Sequence, residues 1–379
     1  MKKSLLIVST CLLFACGSGE NIELIAIGSD TKSSVTLERT SKSKAKNVIL
    51  FIGDGMGPNQ VTLAKFATGG PDHRLSFENF PITGIVYNHS AESLYTDSAA
   101  SATTWATGVK TINGYLAVDA EKTFLPTIPE LLSTKGYKSG LVATSSITHA
   151  TPAAFYAHID NRYKEKEIAK MLVDSDIDIA LGGGAEFFNL GKSGDGPYMI
   201  YDNEQLDSNL LSTKEQVIGL FAEDGFDRRL GPPTQLEMTQ VALSFLEEKS
   251  KNCTGFFLMS EGSQIDWAGH DNNVEYMLAE FTDFNATVQA ATNFAIEKED
   301  TLILVTADHA TGGLVLQRPK GSKIPAQWTT GSHDLSPINI YAYGPGAELF
   351  SGVMDNTEIF DRILHALDYE NLDSANCSS

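Results

Sequence analysis

Val48-Ile49-Leu50-Phe51-Ile52 is an unbroken apolar run that passes directly into Gly53-Asp54-Gly55. A run of this kind, β-branched and without polar alternation, marks a strand covered on both faces. The construction recurs. Ser139-Gly140-Leu141-Val142-Ala143 runs into Thr144-Ser145-Ser146-Ile147-Thr148-His149-Ala150-Thr151, and Phe256-Phe257-Leu258-Met259 into Ser260-Glu261-Gly262. Leu302-Ile303-Leu304-Val305-Thr306 runs into Ala307-Asp308-His309. Ile177–Leu181, before three glycines, and Ile338–Tyr343, before Gly344-Pro345-Gly346, are two further candidates. Helix-like stretches separate these runs. The pattern predicts an α/β fold, with a mostly parallel central sheet and helices on both faces.

The residues just beyond each strand carry the chemistry. Ligands of open α/β sheets bind beyond the carboxyl ends of the strands. Four strands deliver Asp54, His149 with Thr151, Glu261, and Asp308 with His309 to that edge. A single Asp after a strand is ordinarily a turn former or a helix cap. Four exits that all carry metal-ligand side chains point instead to a metal site. In Ile265-Asp266-Trp267-Ala268-Gly269-His270, a carboxylate and an imidazole stand at i and i+4, on one face of a helix, where they can grip one ion. The other reading is a surface pair, and the nearness of Glu261 favours the ion. His333 lies on the loop Thr330-Gly331-Ser332-His333, before the last candidate strand. In Thr96-Asp97-Ser98-Ala99-Ala100-Ser101-Ala102-Thr103-Thr104, Asp97 or Thr96 can cap a small-residue helix. That segment reads either as plain tight packing or as a helix N-terminus presenting Ser98 to an anion such as phosphate.

Composition limits the partners. The chain has 379 residues, with 28 Lys and Arg against 48 Asp and Glu and a formal net charge of -20. Such acidity argues against sequence-independent nucleic-acid binding and against electrostatic docking on anionic lipid. It does not exclude a small anionic substrate, because bound metal ions invert the field inside one cleft.

The N-terminus reads as a targeting segment. Met1-Lys2-Lys3 precedes an apolar stretch from Leu5 to Ala15, too short to span a bilayer. It ends in Leu13-Phe14-Ala15-Cys16 and resembles the lipobox of bacterial lipoproteins, with residues 1–15 as signal peptide and Cys16 as the lipidated residue. The alternative is an ordinary cleaved signal. Either places the protein outside the cytoplasm, in the periplasm, with a lipid anchor as its membrane contact under the first reading. Residues 16–45 read as a tether, 46–379 as the catalytic domain, and about 185–234 as a small inserted subdomain shaping a dimer interface or the site's rim. Cys253 and Cys377 could pair in an exported protein, but their spacing carries no signature and leaves the pairing open.

With these residues in place, the chain resembles the alkaline phosphatases over nearly all of residues 46–370, and in particular their shorter bacterial, cold-adapted members. The motifs are Gly53-Asp54-Gly55-Met56-Gly57, Thr96 to Thr103, His149-Ala150-Thr151-Pro152-Ala153, Ser260 to Trp267, His270, and Ala307-Asp308-His309-Ala310-Thr311-Gly312-Gly313. The resemblance implies two zinc ions, one on Asp266, His270 and His333, the other on Asp54, Asp308 and His309. It implies a magnesium ion on Asp54, Thr151 and Glu261, with His149 beside it. It also implies Ser98 as nucleophile, Arg162 as phosphate clamp, phosphate monoesters as small-molecule substrates, and a homodimer. The donor chemistry fits, since mixed His and carboxylate sets suit zinc and all-oxygen sets suit magnesium. Two positions depart from the best-known enterobacterial pattern, which has Asp where this chain has His149 and Lys where it has Trp267. Magnesium preference is thereby in question at His149, and a cation near phosphate is lost at Trp267. The rivals on the same scaffold are diesterases, sulfatases and phosphonate hydrolases. A surface lipoprotein that binds zinc or phosphate without turnover is the rival of another class. Ser98, Thr151, Glu261 and Arg162 together favour monoesters.

Overall fold

Asn47–Gly53 is buried at every position and lies at the centre of a ten-stranded sheet. The structure, a computed structural model, describes residues 22–29, 37–38, 44–188, 196–227, 230–373 and 377. The expected signal peptide and Cys16 lie outside the described residues. From edge to edge the strands are Gly352–Asp355, Ile82–Tyr87, Ile338–Tyr343, Thr301–Thr306, Asn47–Gly53, Gly255–Gly262, Tyr137–Ser146, Ile179–Gly183, Val217–Leu220 and Tyr198–Ile200. Ile338–Tyr343 runs antiparallel to both of its neighbours, and every other pairing in this sheet is parallel.

The four strands whose exits carry acids and histidines are consecutive in this order. Registers Ile52↔Thr306, Ile52↔Glu261 and Ala143↔Glu261 bring their carboxyl ends level, so side chains distant in sequence meet at one edge. Full burial of the central strands means that both faces are covered. The long helices Gln235–Lys249 and Val274–Lys298 pack on each other and on the sheet, while Ser98–Thr107, Ile128–Ser133 and Ala150–Ala153 form a second group.

Three regions show features that the sequence reading left open or did not foresee. The segment read as a tether contains a strand, Ile22–Ala26, which pairs antiparallel with Lys323–Gln327 in a separate three-stranded sheet. Its apolar residues outweigh the polar composition around them: Ile25 and Ile27 pack on the core, and Glu23 accepts from the Trp328 indole at 3.1 Å. Within residues 185–234, Tyr198–Ile200 and Val217–Leu220 extend the central sheet, so this region is continuous with it. Cys253 and Cys377 are disulfide-bonded across a sequence separation of 124. A spacing of that size cannot announce the bond, because only the folded chain brings Cys377 beside the Gly136 turn. Among the described residues, no helix is long and apolar enough to cross a membrane.

Candidate active site

The helix Ser98–Thr107 has all ten residues buried, which explains its Ala, Ser and Thr composition. Asp97 caps it, one carboxylate oxygen accepting from the Ala100 N–H at 2.9 Å. Ser98 therefore stands at the first turn, with its Oγ 3.3 Å from His309 Nε2.

Acids and imidazoles surround that hydroxyl. Asp54, Asp308 and His309 offer ligand atoms within 4.8 Å of one another, as do Asp266, His309 and His333, and as do Asp54, His149 and Glu261. His309 Nε2 is 3.1 Å from Asp308 Oδ2 and 3.5 Å from Asp54 Oδ1. His270 approaches from the far side of Asp266, its Nε2 3.3 Å from Oδ2. His333 reaches the cluster because the short ladder Ala310–Thr311 with His333–Asp334 pairs Thr311 with His333; the His309 and His333 rings stack at 3.5 Å. Both oxygens of Asp54, Asp308 Oδ2, Glu261 Oε1, Thr151 Oγ1 and His149 Nδ1 are buried without a hydrogen-bond partner. Glu261's other oxygen accepts from the Ser263 hydroxyl at 2.5 Å.

The imidazoles share one orientation. His270 Nδ1 donates to the Gly331 carbonyl at 2.9 Å and His333 Nδ1 to the Thr96 carbonyl at 2.8 Å. His309 Nδ1 meets Thr311 Oγ1 at 3.1 Å. Each ring thus turns Nε2 toward the carboxylates. Metal-ligating histidines are held in this way, with the second nitrogen donating outward.

Four buried acids crowd around one permanent cation, and their titration reflects it. Burial raises Asp54 well above the usual carboxylate range, and Asp308, Asp266 and Glu261 push it further. Burial pushes Glu261 up to about 7, against the pull of the Ser263 hydroxyl. Asp308 is lowered, because the adjoining His309 outweighs its burial. His270 rises to about 9 through its bond to Asp266. Burial and His309 bring His333 down to about 4, while burial and Arg162 bring His149 down to about 3.

Arg162 is the permanent cation. It donates to Asp97 Oδ2 at 3.0 Å and to His149 Nε2 at 3.0 Å. His149 is neutral and accepts at Nε2, so its proton rides on the unpartnered Nδ1. The Trp267 ring stands edge-on to His149 at 6.2 Å, and a Cβ placed on Gly225 would lie 2.2 Å from that indole. The loop around Gly225 therefore backs the tryptophan.

All twelve side chains singled out in the sequence lie at or beside this one sheet edge. Asp97 has a second role that its sequence position conceals: a cap uses one oxygen, and the spare one holds Arg162. Ser263 and Thr311 escape sequence reasoning. Their only signal is that each hydroxyl stands two residues from an acid or imidazole of the cluster, which is too common to be read alone.

A family model described as alkaline phosphatase matches residues 45–327. Alkaline phosphatase 3 of Bacillus subtilis (strain 168) is 32% identical over 91% of this chain and 94% of its own. The solved alkaline phosphatase of the Antarctic bacterium TAB5 is 35% identical with a TM-score of 0.80, covering 86% of this chain and 99% of that one. A His-to-Asp mutant of that enzyme, described with Mg bound in its M3 site, is 36% identical with a TM-score of 0.78, at the same coverage of 86% and 99%. Because the family match runs through every strand exit that builds the cluster, and the fold agrees with that of a solved member, the chain belongs to the alkaline phosphatase family of phosphate-monoester hydrolases.

Proposed function

We propose that this chain hydrolyses phosphate monoesters in two displacements through a phosphoserine at Ser98, with two zinc ions and one magnesium ion as cofactors. The observation that carries the reading is the set of buried, unpartnered donors on Asp54, Asp308, Glu261, Thr151 and His149. Four buried carboxylates need more positive charge than Arg162 supplies, and divalent cations provide it. Asp266, His270 and His333 would hold one zinc; Asp54, Asp308 and His309 the other; Asp54, Thr151 and Glu261 the magnesium. His149, whose proton sits on Nδ1, would serve as a donor beside the magnesium rather than as a ligand. The magnesium described in the mutant TAB5 enzyme supports a third site in this family.

When bound, such ions lower the pKa of a coordinated hydroxyl or water and stabilise the negative charge of in-line displacement. The chain's own residues do the rest. Ser98 Oγ forms a bond to phosphorus as the bond to the leaving alkoxide breaks, giving a phosphoserine and an alcohol. A water oxygen then bonds to phosphorus, the bond to Ser98 breaks, and inorganic phosphate leaves. The N–H groups of the helix's first turn favour the anion. Arg162, fixed by Asp97 and His149, directs its remaining N–H donors at phosphate oxygens.

The test is hydrolysis of p-nitrophenyl phosphate by chelator-stripped protein given back zinc and magnesium, beside Ser98→Ala and a diester substrate. Zinc-dependent monoester turnover, lost in Ser98→Ala, supports the reading. A faster diester, or zinc uptake without turnover, overturns it in favour of a diesterase or a binding protein.

The disulfide supports work in an oxidising compartment, as expected of an exported, periplasmic protein. We extend the proposal to a homodimer, by analogy with the family, and to lipid anchoring through Cys16.

A further inference from the structure

We infer that the Thr311 hydroxyl couples the two zinc-binding halves of the site, as a positioning residue that fixes Asp266 and His309 at once. The inference rests on the metal assignment proposed above and adds to it a residue with no ligand role there.

Thr311 is fully buried, and four ligand-bearing segments meet on it. Its Oγ1 donates to Asp266 Oδ1, and His309 Nδ1 lies 3.1 Å from the same oxygen. Its backbone pairs with His333, and its N–H reaches the Gly55 carbonyl, next to Asp54, at 3.3 Å. A hydroxyl has one proton. Since that proton goes to the Asp266 carboxylate, Oγ1 acts as acceptor toward the imidazole, so His309 Nδ1 is the donor and Nε2 is the nitrogen left to meet an ion. Nε2 is the nitrogen that faces Asp54, Asp308 and Ser98.

The other two imidazoles are fixed differently. His270 and His333 donate to backbone carbonyls, which only accept and pass nothing on. At His309 the acceptor is itself a donor to an acid of the other zinc set. The chain Nδ1–H to Oγ1–H to Oδ1 therefore has one direction and spans both halves. Little room exists for the threonine to turn out of it: a Cβ on Gly55 would lie 2.8 Å from Oγ1, and one on Gly269 would lie 3.0 Å from Thr311 Cβ. Gln60 Nε2 holds the Thr311 carbonyl at 2.6 Å.

The experiment is stepwise zinc titration of the chelator-stripped full chain against a chromophoric competitor, for the native protein, Thr311→Val and Thr311→Ser. Valine keeps the shape and removes the hydroxyl; serine keeps the hydroxyl. The native chain is expected to take up two zinc ions, and Thr311→Val to lose about 10–100-fold in affinity at both steps, with Thr311→Ser recovering most of it. Thr311→Val titrating like the native chain, or weakened at one step alone, overturns the coupling while leaving the proposed function intact. A native chain that fails to take up two zinc ions overturns the proposed function, and this inference with it. If Thr311→Val does not fold, Thr311→Ser and Thr311→Ala, which differ only by the hydroxyl, make the same comparison, and equal zinc affinities overturn the inference.

Discussion

Asp97 holds Arg162 through one carboxylate oxygen, at 3.0 Å, while its other oxygen caps the helix that begins at Ser98. The proposed phosphate clamp and the turn that presents the proposed nucleophile are thus fastened to a single side chain. Replacing Asp97 by Ala is expected to weaken inhibition by inorganic phosphate about tenfold, or about 1.4 kcal/mol. Loss of the cap is expected to remove about 1 kcal/mol of stability. Asp97→Asn retains an oxygen for the cap and should recover the stability but not the phosphate affinity. Phosphate inhibition constants and denaturant midpoints of the two variants separate these effects.

Gly225 lies where a side chain would strike the Trp267 indole. Gly225→Ala is expected to cost about 1–3 kcal/mol, the usual range for overpacking. Because Trp267 stands against His149, the indole should also shift, changing its fluorescence. The double variant Gly225→Ala with Trp267→Leu should be destabilised less than the sum of the two single changes. Strict additivity would show that the two residues do not meet.

Metal-stripped protein should lose stability as pH rises from about 6.5 to 9. His270 has a pKa of about 9 in the folded chain against 6.5 ordinarily. A raised pKa gives stability that is complete below the unfolded value and disappears as pH climbs through the folded one. Glu261, near 7, acts in the same sense. His149 and His333, lowered to about 3 and about 4, act in the opposite sense only below 6.5. Zinc-loaded protein should show the reverse trend, because ligand imidazoles must shed protons to bind. Urea unfolding at pH 6.5, 7.5 and 9, with and without zinc, measures the divergence.

The bond between Cys253 and Cys377 closes a loop of 124 residues. On loop-closure grounds its loss should cost about 3–5 kcal/mol. Reductant should lower the melting temperature of the native chain and leave a Cys253→Ser variant unchanged. Equal shifts in the two would trace the effect to something other than this bond.

The parts of the site that sequence reveals are those attached directly to strand ends. Asp54, Glu261, Asp308 and His309 come after apolar runs whose direction and burial are written in their residue types. His333 is legible only through resemblance, since a Gly-rich loop says nothing of the two-residue ladder that carries it to His309. Arg162 is likewise legible only through resemblance, since its partners Asp97 and His149 are brought to it by folding. Thr311 is hidden for a further reason: its role lies in the direction of one hydroxyl proton, which no spacing encodes. The same limit applies to Ile22–Ala26, whose partner strand lies near the other end of the chain.

Asn47–Gly53 is the first strand of the central sheet to be synthesised, and its neighbours are Gly255–Gly262 and Thr301–Thr306. A chain emerging from its N-terminus therefore carries this apolar strand, buried at every position in the fold, unpaired on one side or both until Thr306 has appeared. Contacts so distant in sequence form slowly and leave sticky edges exposed meanwhile. Asp54 follows directly on that waiting strand, and the complete cluster cannot assemble before Asp308, His309 and His333 have been made. On the metal assignment proposed above, loading of the full set therefore waits until the chain has been made at least as far as His333.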